Sequence, residues 1–158
     1  MWYCSRSLPA VQGTRSHMLA QYILFFAPLQ MISDMPSQYR QHPDILKFLA
    51  QCPTVWDDTK VVCGKMGEYV VVARRSGGVW YIGGMCNWDG KKVEIDLSKI
   101  VPEGSYKAEI FFDPPNSDMM ATDYKRAETT LKSSDKFEMT MRRGGGFAIK
   151  LVPDSSLF

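Results

Sequence analysis

The sequence predicts a mainly β protein, an antiparallel β-sandwich preceded by a shorter α/β segment. Three observations predict it. From residue 60 onward, eight short strand-like runs follow one another in about ninety residues, broken by Gly, Pro, Asn, Asp and Ser clusters, the spacing of a β-sandwich. The stretch GEYVVVARRSGGVWYIGGMCNW at residues 67–88 places two β-rich runs around Ser76-Gly77-Gly78 and reads as a β-hairpin. Ahead of residue 59 the pattern changes to helix, short apolar run, helix, the grammar of a parallel strand covered by crossover helices.

Taken in order, residues 1–13 show no periodicity and read as an irregular N-terminus. Met18, Leu19, Tyr22, Ile23, Leu24, Phe25 and Phe26 wrap most of a helix surface, with Thr14 or Ser16 as its cap and Pro28 as its stop. So much apolar surface asks for more neighbours than the first 59 residues supply, which points to a piece of a larger α/β body. Residues 29–33 form a short apolar run closed by Asp34 and Pro36, as in a buried strand. Pro43-Asp44 opens a second helix carrying Ile45, Leu46, Phe48 and Leu49, and Pro53 closes it. Strands are then expected at 60–63, 69–75, 79–85, 93–97, 106–112, 129–132, 136–141 and 147–151. Val70, Val71 and Val72 are an unbroken apolar run, the mark of a strand covered on both faces. Val93, Ile95 and Leu97 alternate with polar residues, the mark of a strand covered on one. The organisation is therefore an irregular end (1–13), an α/β segment (14–58) and a sandwich (59–158).

Composition narrows the function classes. A net charge of +2 spread over isolated basic doublets (Arg74-Arg75, Lys91-Lys92, Lys125-Arg126, Arg142-Arg143) lacks the clustered basic surface of a nucleic-acid binder. Cys4, Cys52, Cys63 and Cys86 lie far apart with no companion histidine pair, so a zinc site is not indicated; buried thiols are the plainer reading beside a disulfide. Residues 18–29 mimic a signal peptide behind Arg6 and Arg15, but no clean small-residue cleavage site follows, and the run is too short to span a membrane.

TRSHMLAQYILFFAPLQMISDMPSQY, PTVWDDTKVVCGKMGEYVVVARRSGGVWYIGGMCNWDG, AEIFFD, ATDYKR and GGGFAIKL, in this order and at natural spacing, resemble the C-terminal part of glycoside hydrolase family 97, a family of α-glucosidases and α-galactosidases. The resemblance covers nearly everything from Gly13 to Pro153. It implies an architecture of N-terminal β-sandwich, catalytic (β/α)8 barrel and C-terminal β-sandwich. Residues 14–58 would then be the last helices and last strand of the barrel. It also implies an extracytoplasmic parent acting on α-glycosides, with a glutamate general acid, a second carboxylate, and calcium held by glutamates.

Glycoside hydrolysis needs two carboxyl groups flanking the scissile bond. Residues 1–59 contain no glutamate, and their only carboxylates are Asp34, Asp44, Asp57 and Asp58. No catalytic or calcium-binding residue of the family can be carried onto this chain, so the expectation is no catalytic residue, no metal ligand and an inactive isolated chain. Asp34 is the one acid with a functional reading. It ends the expected strand, where barrel active sites lie, and either lines the sugar pocket or caps the turn before Pro36.

His17, alone in the first turn of its helix, reads as a packing or capping residue rather than a catalyst. Trp56-Asp57-Asp58 reads as an anchoring ring with turn-capping carboxylates. Trp80, Tyr81 and Trp88 are either core or a sugar-stacking surface, although Trp80 and Tyr81, as strand neighbours, must face opposite ways. The sandwich thus supports a barrel, or stands alone as a carbohydrate-binding module if it shows a co-facial aromatic pair. A bare helix would let the isolated chain self-associate through Leu19, Ile23 and Phe26.

Overall fold

The computed structural model describes residues 4–5, 8–9, 12–32 and 36–154. A two-residue ribbon, β1 (Cys4–Ser5) with β2 (Leu8–Pro9), lies in the segment expected to be irregular. Three helices follow: α1 (Arg15–Leu24), α2 (Pro36–Arg40) and α3 (Pro43–Gln51). Eight strands complete the chain: β3 (Asp58–Lys65), β4 (Tyr69–Ser76), β5 (Val79–Cys86), β6 (Lys91–Asp96), β7 (Ser105–Phe112), β8 (Lys125–Lys132), β9 (Lys136–Met141) and β10 (Gly146–Pro153). A six-stranded antiparallel sheet has the order β3-β4-β5-β10-β7-β8, and β6 pairs with β9 as a separate ribbon.

The sheet has two buried faces, and strand alternation decides which residue serves which. Val71, Ala73, Trp80, Ile82, Phe147, Ile149 and Leu151 point inward, against Val93 and Ile95 of β6 and Met139 and Met141 of β9, and form the sandwich core. Tyr81, Phe111 and Ala148 point outward and meet Leu19 and Ile23 of α1 and Ile45 and Phe48 of α3. Val72, one residue out of phase with Val71, packs under Ala20 and Leu24 of α1. The unbroken valine run is explained: each face of β4 has its own apolar cover.

Helix α1 comes close because the floor beneath it is made of small residues. A Cβ on Gly83 would stand 3.0 Å from Ile23 Cβ, and one on Gly146 would stand 2.8 Å from His17 Cα. Thr14 caps the helix, its hydroxyl accepting from the His17 amide at 3.1 Å.

Several expectations are corrected. Residues 29–32 form no strand, and Leu29 and Met31 are 80% and 78% exposed. An apolar run without pairing partners has nothing to hydrogen-bond as a strand. Residues 33–35, and with them Asp34, lie outside the described residues. The polar stretch before His42 contains the short helix α2. Strand β8 begins at Lys125, four residues earlier than its sequence pattern shows. It is an edge strand with most residues exposed, so it lacks the apolar alternation that marks a half-buried one. The many-sided helix finds its neighbours downstream: Leu19, Ala20 and Ile23 are fully buried against the sheet. Of the three residues expected to form a self-association face, Leu19 and Ile23 are covered by the sheet and Phe26 is 65% exposed.

Candidate functional site

The joint between α1 and the start of β10 gathers several buried polar groups, Thr14, Ser16 and Asp113 among them. Asp113, next after β7, is 5% exposed. Its Oδ2 accepts from the Gly146 amide at 2.9 Å and the Arg142 amide at 3.3 Å. Burial pushes the Asp113 carboxyl above its ordinary value, while the Thr14 hydroxyl and these amides pull against that shift. His17 lies beside it, with Nδ1 3.2 Å from the Gly145 carbonyl, and burial lowers its pKa. The Cys86 thiol donates to the Arg142 carbonyl at 3.1 Å, and burial pushes its pKa up, away from a nucleophilic thiolate. This is a structural knot that fastens a helix start to a strand start. It contains one carboxylate, not the opposed pair that glycoside hydrolysis requires.

Asp113 yields a pH signature. A carboxyl whose folded pKa is raised contributes stability that is full below its unfolded value of 3.8 and is lost as pH rises through the folded pKa. Wild-type unfolding free energy, measured in urea from pH 3 upward, will therefore fall with pH relative to Asp113→Asn. A wild-type stability that rises with pH relative to Asp113→Asn would refute the burial argument.

The other carboxylates are in structural service. Asp57 Oδ2 accepts from the Gly77 amide at 2.6 Å and so caps the β4–β5 turn, while Trp56 packs on Tyr81 with ring centroids 5.3 Å apart. Asp44 receives the Tyr124 hydroxyl at 2.9 Å, which ties α3 to the loop before β8 and helps hold the Tyr124 phenol up at about 12, behind burial as the main cause. Arg126 bridges Glu109 and Glu128 across β7 and β8. An open groove beside α1, lined by His17, Gln21, Phe25, Val61, Met66 and Val70, is mainly apolar; Glu68 on its rim is paired with Lys65. Among the described residues no three His, Cys, Asp or Glu side chains converge as a metal ion would need. Nor is any helix among them long and apolar enough to cross a membrane.

The aromatic residues separate as alternation requires. Trp80 sits in the sandwich core and Tyr81 under α3, each 3% exposed, so they make no co-facial pair. Trp88 departs from the core reading at 55% exposed. It follows β5 in a turn held by the Asp89 amide donating to Asn87 Oδ1 at 3.0 Å.

Residues 55–152 match the family model described as "Glycosyl-hydrolase 97 C-terminal, oligomerisation". The chain belongs to glycoside hydrolase family 97. It is 42% identical, over 95% of its length, to a retaining alpha-galactosidase of Bacteroides thetaiotaomicron, of which it covers 22%. A probable retaining alpha-galactosidase of Streptomyces bingchenggensis is 29% identical over 80% of this chain and is 19% covered. Among solved structures, a family 97 enzyme from a Pseudoalteromonas strain, in complex with acarbose, matches with a TM-score of 0.85 at 28% identity, over 90% of this chain and 23% of that one. A beta-arabinopyranosidase shares the fold with a TM-score of 0.73 at 23% identity. The chain thus spans about a fifth of the length of the family 97 proteins it matches, and corresponds to their C-terminal part.

Proposed function

We propose that this chain is the C-terminal supporting portion of a retaining α-galactosidase, with residues 14–58 serving as the terminal helices of its catalytic barrel. The observation that carries the substrate class is the 42% identity to the Bacteroides enzyme across 95% of the chain. The structure supports the division of labour. The sandwich side of the molecule is closed by its own core, whereas Phe25, Phe26, Leu29, Met31 and Ile32 run exposed along the end of α1 and beyond it. Such a continuous apolar stretch suits a surface that packs against further protein. Calcium and the catalytic carboxylates would come from the remainder of the enzyme. A free-standing carbohydrate-binding module is expected to show a co-facial aromatic pair, which Trp80 and Tyr81, buried on opposite faces, do not make.

The test is a graft in which this chain replaces the matching C-terminal stretch of the Bacteroides enzyme. Aryl α-galactoside hydrolysis is expected from the graft and not from the chain alone. A graft that is folded by circular dichroism yet inactive would sink the reading, as would turnover by the rigorously purified chain.

A further inference from the structure

One end of the molecule collects the N-termini of both long helices together with three loops. The Thr14 amide donates to the Gly144 carbonyl at 3.0 Å and the Arg15 amide to the Ala121 carbonyl at 3.0 Å, so α1 starts against the 142–146 turn and the 113–124 link. Asp44, in the first turn of α3, is held by Tyr124 at the end of that same link. The turn carrying Trp88 joins them. The Gly144 amide donates to the Asn87 carbonyl at 2.8 Å, Arg143 Nε to the Trp88 carbonyl at 3.2 Å, and the Arg143 amide to Asp118 at 3.2 Å.

In a (β/α)8 barrel each helix follows its strand, so helix N-termini and strand C-termini share one end, and the active site opens there. If α1 and α3 are barrel helices, these loops stand at the rim of the active-site mouth. That rim is apolar where water would favour polar residues: Trp88 is 55% exposed, Met119 88% and Met120 55%. The Trp88 ring is backed by Gly144, where a Cβ would come within 2.8 Å of it, so the ring is braced rather than loose. Polar side chains flank it: Asn87 and Asp89, bonded to each other at 3.0 Å, and Arg143. A braced, half-exposed indole among fixed donors and acceptors matches the chemistry of a sugar ring, whose apolar face stacks on an aromatic while its hydroxyls find polar partners.

We propose that Trp88, with Met119 on the 113–124 link that Arg143 ties to the Trp88 turn, forms an outer subsite for the sugar units of an oligosaccharide α-glycoside that lie beyond the bond being cleaved. The proposal rests on the barrel reading above, and the experiment separates the two. In the active graft, Trp88→Ala and Met119→Ser are each compared on an aryl α-galactoside and on a tetrasaccharide ending in α-galactose. The ratio of kcat/KM for the tetrasaccharide to that for the aryl substrate is expected to fall about fivefold in Trp88→Ala, and in the same direction in Met119→Ser. Met119→Ser alters a side chain 88% exposed, which keeps the test open should Trp88→Ala not fold. An unchanged ratio overturns the subsite while the active graft still upholds the barrel reading. Equal losses on both substrates, or a loss of thermal stability alone, assign the patch to packing against the rest of the enzyme and overturn it as well. A folded, inactive graft overturns the barrel reading and the subsite with it.

Discussion

Phe48→Ala will remove about 3–5 kcal/mol of unfolding free energy, much of what a domain of this size holds. Phe48 is fully buried on α3, edge-to-face with Phe111 of β7 at 5.1 Å and with Tyr81 of β5 at 6.4 Å. Ile45 is the other enclosed side chain of α3, whereas Leu46 and Leu49 are only partly buried. Truncation leaves a cavity walled by sheet residues that cannot collapse into it, since β5 and β7 are held in register on both sides of β10. Urea unfolding followed by far-UV circular dichroism measures the loss. A change below about 1 kcal/mol would mean that the helices are a loose appendage of the sandwich. Coincident loss of helix and sheet signals is the expected companion result.

Gly84→Ala will cost about 1–3 kcal/mol through overpacking, although alanine is a small residue. Gly84 faces the sandwich core, and a Cβ there would lie 2.3 Å from Phe147 Cε1 and 2.5 Å from Cζ. Phe147 is fully buried and cannot swing clear. The pair is therefore one packing unit, a ring filling the space that the missing side chain leaves. Phe147→Leu, destabilising alone, is expected to relieve Gly84→Ala, with a coupling energy of about 1 kcal/mol or more in a double-mutant cycle. Strict additivity of the two changes would show that the ring and the glycine do not compete for the same space.

Much of this arrangement is legible in the sequence, because alternation and turn residues are local signals. The Tyr69–Arg75 and Val79–Met85 runs and the opposed faces of Trp80 and Tyr81 follow from period and chirality alone. What escapes is whatever depends on distant partners. The pattern of α1 shows that it must be buried but not by what, and the sheet that covers it begins more than thirty residues later. Residues 29–32 have the composition of a strand and no strand to pair with. Gly144-Gly145-Gly146 reads as a turn, which it is at Gly144 with φ 57°, yet Gly146 is also the place where α1 rests on β10. Asp113 carries no motif; its role arises only because β7, β10 and α1 converge on it. A candidate site was legible mainly by elimination, from the missing glutamates in residues 1–59, whereas the Trp88 turn and the 113–124 link are joined only through Arg143, once the loops have folded together.

The position of β10 sets the order of events as the protein is made. β10 follows in sequence every strand of the sheet it joins, yet it lies between β5 and β7 and floors α1. Until residues 146–153 are in place, β5 and β7 have no common neighbour and the helices that precede the sheet lack part of their floor. Folding of this sheet must therefore await β10 and be slow in the manner of long-range strand pairing, with apolar surface exposed in the interval. A chain that lacks β10 is a natural client for chaperones, and its loss would be felt at the centre of the sheet, not at its margin.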